Sequence, residues 1–318
     1  MAATLTALPV LPMLHVGASI SWNSFTVHWS TVIGLLVMAG LYEWRIRAAE
    51  NRPAGVSPHH AGRRVPGTES PGSRRPFFYA ALLTIFFSLN GWLHDLSDWY
   101  LFSAHMVQHL LLTILMPPLL LVGVPGWMLR PLLRYRPVAA VARGLTRPMI
   151  CFAAFQLSLA AWHLPVLYNA AMASHEIHIV QHLFFMVTAV MLWWPILSQL
   201  PELPRLAYPM QMLYLFLATL PMAVVSVYIT YSQTLLYPAY SAAPRILGLS
   251  PMEDQLLGGL IMWIPGGLIF FGVISVIFFR WQSHGAEDSQ ASAQVDWRPA
   301  AEGERARHGT LARGSTGA

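Results

Sequence analysis

Seven apolar runs, each long enough to cross a bilayer, constrain this chain more than any other feature. A hydrocarbon core about 30 Å thick needs roughly 20 mostly apolar residues per helix. Runs of that kind fall at about 27–47, 77–94, 99–123, 147–164, 175–197, 207–232 and 254–280. The breaks between them carry loop punctuation, as in "ENRPAGVSPHHAGRRVPGTESPGSRRP" (50–76), "PLLRYRPVAAVARGLTRP" (131–148) and "SQLPELPRLAYP" (198–209). At 55% hydrophobic and 10% charged, with a mean hydropathy of +0.50, the 318 residues are too apolar for a soluble globular protein. The expected fold is therefore all-α, a polytopic membrane helix bundle of about seven transmembrane helices. No cleavable signal is expected, because the N-terminus lacks a basic stretch and the first apolar run is long enough to span. The single cysteine, Cys151, excludes an intramolecular disulfide and a multi-cysteine metal cage.

Charge sets the expected orientation. All the basic residues are arginines, and with a pI near 9.6 they first suggest nucleic acid, but they sit in loops between apolar spans. Segment 45–75 holds seven, 130–147 five, 198–209 one and the stretch from Arg280 onward five, against Arg245 alone on the other side. Eighteen against one places the arginine-rich side in the cytoplasm, the N-terminus outside and the C-terminus inside. Residues 1–26 then form an extracytoplasmic segment and 27–280 the membrane domain. Residues 281–318, polar and rich in small side chains, form a cytoplasmic tail expected to be disordered.

In that orientation the span histidines gather at the outer face. His94 closes the second run and His105 and His109 open the third; His163 closes the fourth, and His175, His178 and His182 open the fifth. At 100° per residue, each set makes a single stripe on its helix. The phrase "HMVQHL" (105–110) returns as "HIVQHL" (178–183), so hairpins 77–123 and 147–197 read as parallel repeats about an axis along the membrane normal. A lone interfacial histidine ordinarily makes a hydrogen bond and nothing more. Seven on one side, with a repeated i,i+4 pair, point to a binding site between facing helices.

Imidazole suits copper, zinc, iron and nickel, and thioethers favour Cu(I). Met106, Met222, Met252 and Met262 are within reach of such a site, although most methionines serve packing. Gln108 and Gln181 either fix imidazole tautomers or join helices. Glu253 and Asp254 either cap the seventh helix or take part in metal or proton binding. Glycines 258, 259, 266 and 267 suit close helix packing, and Pro117–Pro118 should kink the third helix below its histidines. No nucleophile–base arrangement or phosphate loop stands out, so no enzyme activity is expected.

"HMVQHLLLTILMPPLLLVGVP" (105–125), "WHLPVLYNAAM" (162–172), "HEIHIVQHLFFMVTAVMLWWPI" (175–196) and "EDQLLGGLIMWIPGG" (253–267) together resemble the CtaG family of bacterial cytochrome c oxidase assembly factors. This is the multi-helix kind linked to caa-type oxidases, not the single-span copper chaperone of the same name. The resemblance covers roughly 27–280. It implies a multi-pass protein of the bacterial plasma membrane that works with oxidase subunits and helps copper reach their centres. Extracytoplasmic copper chaperones join the lipid bilayer as expected partners, and nucleic acid does not. His105, His109, His178 and His182 are the expected metal ligands, with His94, His163 and His175 secondary and Met106, Gln108, Gln181, Met252, Glu253 and Asp254 accessory. Such a site should lose metal below pH ~6 as imidazoles protonate.

Three other readings compete. A haem-binding cytochrome or reductase would take axial histidines from the third and fifth helices, yet every candidate lies at one depth. A transporter would need polar groups along a full path, which the inner halves lack. A scaffold without metal would hold oxidase subunits and leave the histidines dispensable.

Overall fold

The computed structural model describes residues 25–51 and 72–296, with side chains through Ser283. The expected extracytoplasmic segment before Phe25, most of the 50–76 loop and the tail beyond Asp296 lie outside the described residues. Among the described residues every regular element is helical: α1 (Trp29–Glu50), α2 (Arg75–Leu89), α3 (Gly91–Trp99), α4 (Phe102–Leu110), α5 (Met116–Gly123), α6 (Gly126–Leu129), α7 (Arg136–Leu145), α8 (Pro148–His163), α9 (Pro165–Ala173), α10 (His175–Leu197), α11 (Tyr208–Thr230) and α12 (Pro251–Asp296).

Four helical stretches are long and apolar enough to cross a membrane: 102–123, 175–197, 208–230 and 251–283. Two bent pairs, α2 with α3 and α7 with α8, raise the number to six if each pair is one span. The count therefore falls short of seven at α1, whose last two turns carry Glu43, Arg45 and Arg47. The second expected span is two helices meeting at 42° rather than one. Gly91 takes φ +68° there, and a Cβ on it would lie 2.2 Å from the Phe25 ring. The expected tail is helical as backbone through Asp296, since extending an existing helix needs no new nucleus.

The Pro117–Pro118 kink appears as a π-helical turn, Leu111–Leu115, inside one continuous span. Proline removes the N–H that would reach the carbonyl four residues back, at Thr113. The Trp193 indole N–H from α10 donates to that carbonyl at 3.0 Å, so the bundle supplies what the proline withholds.

Aromatic and methionine side chains of α4, α8, α10, α11 and α12 fill the main core, among them Phe102, Phe185, Trp193, Tyr214 and Phe270. α1 packs separately on α2, where Tyr42 stacks on Phe78 at 3.8 Å and donates to the Gly123 carbonyl at 3.0 Å. The two ends of the bundle differ in chemistry. One carries arginines: Arg75 pairs with Glu43 at 3.0 Å and Glu50 at 3.2 Å, Arg130 with Glu202 at 2.9 Å, and Arg74 donates to Gln199. The other end carries the histidines.

Candidate functional site

The histidine end is assembled from residues far apart in sequence. The first free backbone N–H groups of α4 are capped by Asp254, from the first turn of α12. Its carboxylate accepts from Phe102 N at 2.7 Å, Ser103 N at 3.1 Å and the Ser103 hydroxyl at 2.5 Å. Glu253 caps α12 itself, accepting from Ser250 N at 2.7 Å while Ser250 Oγ receives Glu253 N at 3.3 Å. Both acids are committed to helix termini, and Asp254 serves a helix other than its own.

With α4 so placed, its two histidines meet those of α10. Ring centroids are 4.3 Å apart for His105–His109 and 4.4 Å for His178–His182 along each helix. Across the helices His105 lies 5.4 Å from His178 and 5.9 Å from His182, and His109 lies 5.6 Å from His182. His163, at the end of α8, is 5.9 Å from His109, and His94, from α3, is 6.3 Å from His178. Each of these six is at most 8% exposed. His175 is separate: exposed at the start of α10, it stacks at 5.8 Å on His28, which lies 4.5 Å from His94.

Some ring nitrogens are held. His163 Nδ1 reaches the Leu159 carbonyl at 2.7 Å. Gln108 Nε2 donates to the Ser88 carbonyl at 2.6 Å and lies 3.3 Å from His94 Nδ1, which directs the His94 Nε2–H toward Asp98 Oδ2 at 3.4 Å. The same oxygen is 3.4 Å from His178 Nδ1. Tyr240 donates to the Ser97 carbonyl at 2.7 Å, so Tyr168, 2.8 Å away, must donate to Tyr240. The Tyr240 oxygen stands 3.4 Å from His105 Nδ1. Burial raises both phenols well above their ordinary pKa, keeping them neutral donors.

The other nitrogens are not held. Nε2 of His105, His163 and His178, and both nitrogens of His109 and His182, have no hydrogen-bond partner among the described residues. A buried polar group left unpaired costs roughly 1–3 kcal/mol, which a bound water or ligand at the cluster would offset. Imidazole nitrogens suit a copper, zinc, iron or nickel ion. Beside His109, a cavity of about 20 Å³ is lined by Met106, Met222 and Met262, room for one water-sized sphere. On the other side an apolar groove of about 620 Å³, lined from α1, α2, α5 and α10, carries His28, His94, His175, His178 and His182.

Of the residues expected from sequence, His94, His105, His109, His163, His178 and His182 come together, with Met106 and Gln108 against them. Gln181 is buried with neither amide atom partnered among the described residues, and Met252 is exposed. Asp98, His28 and Tyr240 were not anticipated. Asp98 stands four residues after His94, a spacing that puts both on one helix face. Tyr240 lies 135 residues from His105, and nothing local announces it.

No curated protein and no solved structure matches the chain. The model of one family, described as cytochrome c oxidase caa3 assembly factor, matches residues 40–284, a stretch holding all six clustered histidines, and the chain belongs to that family.

Proposed function

We propose that this assembly factor receives copper at the buried imidazole cluster and holds it for transfer to cytochrome c oxidase, at the outer face of the bacterial plasma membrane. The observation that carries the reading is the set of seven buried ring nitrogens with no protein partner among the described residues. Spacing supports it too. Two imidazoles on one tetrahedral ion have ring centres about 5 Å apart, and around the cavity the His109–His182 and His109–His163 pairs stand at 5.6 and 5.9 Å. The thioethers of Met106, Met222 and Met262 beside His109 favour Cu(I). Neutral donors of this kind release an ion more readily than a thiolate cage, which fits delivery rather than catalysis. Oxidase subunits are the recipients in this reading, and an extracytoplasmic copper chaperone is the donor. The arginine end then faces the cytoplasm.

The test is copper per chain on detergent-purified protein loaded with Cu(I), beside a folded His109→Ala/His182→Ala double variant. Close to one copper in the parent and none in the variant is the expected result. No retained copper in either removes the reading.

The groove supports one rival. A largely apolar space of about 620 Å³ edged by imidazoles also suits a haem. An absorbance spectrum of the same preparation with a haem band that the double variant lacks would favour it.

A further inference from the structure

Among the described residues Asp98 is the one acidic side chain set against the buried imidazoles: its Oδ2 stands 3.4 Å from both His94 Nε2 and His178 Nδ1, and its Oδ1 accepts from the Ser97 hydroxyl at 3.1 Å. Among the described residues its ion-pair partners are His94 and His178 alone, with no arginine beside it. A carboxylate largely shielded from water, as Asp98 is with 13% of its side chain exposed, favours a compensating positive charge. One ligand atom each from Asp98, His105 and His178 lies within 4.8 Å of the others. A charge-assisted N–H···O bond closes to about 2.7–2.9 Å, whereas Asp98 Oδ2 stands 3.4 Å from His178 Nδ1. Two donors on a tetrahedral ion with bonds near 2.1 Å lie about 3.4 Å apart. Since no pair exceeds 4.8 Å, reaching that edge asks each side chain to move by at most about 0.7 Å.

We infer that Asp98, His105 and His178 form a second station, one for a divalent ion of the zinc or copper(II) class, a helical turn from the imidazole–thioether cavity at His109. This deepens the copper reading and rests on it. The carboxylate is the discriminating donor, because a hard anionic oxygen suits a divalent ion and contributes little to Cu(I). His94 is a positioning residue here: Gln108 orients it so that its Nε2–H faces the carboxylate.

The experiment measures Zn²⁺ and Cu(I) binding separately on the full detergent-purified chain, parent beside Asp98→Asn. The parent should hold about one of each. The variant should bind Zn²⁺ at least about tenfold more weakly and keep Cu(I) within a factor of about two. If Asp98 merely orients His178, both ions weaken together, and the inference fails. Zn²⁺ binding unchanged in the variant, or absent from a parent that retains Cu(I), also overturns the inference while leaving the copper reading intact. A parent that binds neither ion overturns both. Should Asp98→Asn lose its fold, Asp98→Glu, which keeps the charge, must retain Zn²⁺; its failure in a folded variant counts against the station.

Discussion

Asp254 shows how much one side chain can decide at this site. A buried carboxylate on α12 takes three donors from the start of α4, two residues before His105. Asp254→Ala leaves those donors unpaired and should destabilise the protein by roughly 2 kcal/mol, read as a lower thermal midpoint in detergent. The same variant should retain less Cu(I), because the α4 histidines lose their fixed start. Copper retention equal to the parent would mean that the cap serves stability alone. Sequence spacing offered the acid only as a cap for its own helix or as a metal or proton ligand; its partner is 151–152 residues away and local pattern cannot show it. The histidines were legible because their i,i+4 repeat is local. Asp98 was legible in principle by the same rule, since it follows His94 by four residues.

At the scale of elements, the helices α10 and α11 match the apolar runs within two residues, whereas the α2–α3 break and the π turn between α4 and α5 depend on neighbours. Gly91 turns the chain at φ +68°, a conformation glycine adopts freely, and Phe25 fills the place a Cβ would take. Glycines of the seventh run divide in the same way. A Cβ on Gly259 would come 2.3 Å from Thr230 Oγ1 and 3.0 Å from Thr230 N, while one on Gly267 meets nothing within 4 Å. Gly259→Ala should therefore pry α12 from α11 and cost about 1–3 kcal/mol. Gly267→Ala should be neutral or stabilise by up to about 1 kcal/mol through helix propensity. Thermal unfolding of the two variants side by side tests this, and equal effects would sink the close-approach argument. Gly259 and Gly267 look alike in sequence because glycine's role depends on the atom facing it.

For the whole molecule, arginines at one end and histidines at the other are what the loop charges predicted, and the ion pairs Arg75–Glu43 and Arg130–Glu202 draw the arginine-bearing segments together. The proposed orientation has a direct check, because Cys151 is fully buried and the only cysteine. In a Cys151→Ser background, an impermeant maleimide should label Ala242→Cys on intact cells and Ala140→Cys only after permeabilisation. The reverse pattern would invert the topology and put the histidine end in the cytoplasm. The span count was only partly legible. The run 27–47 reads as a span because its first two-thirds are apolar, but Glu43, Arg45 and Arg47 shorten that apolar length, and α1 is not among the candidate spans.

By itself the sequence determined that this is a chain of apolar helices with imidazoles at one end and arginines at the other. Those properties follow from hydropathy, helical periodicity and charge, all of which act over a few turns. Only the tertiary structure decided that His94, His105, His109, His163, His178 and His182 share one buried cluster while His175 stays outside it, and that Asp98 and Tyr240 belong beside them. Such contacts depend on which helices pack together and at what rotation. That is set by side chains such as Asp254, Trp193 and Gly259, which act across the bundle rather than along the chain.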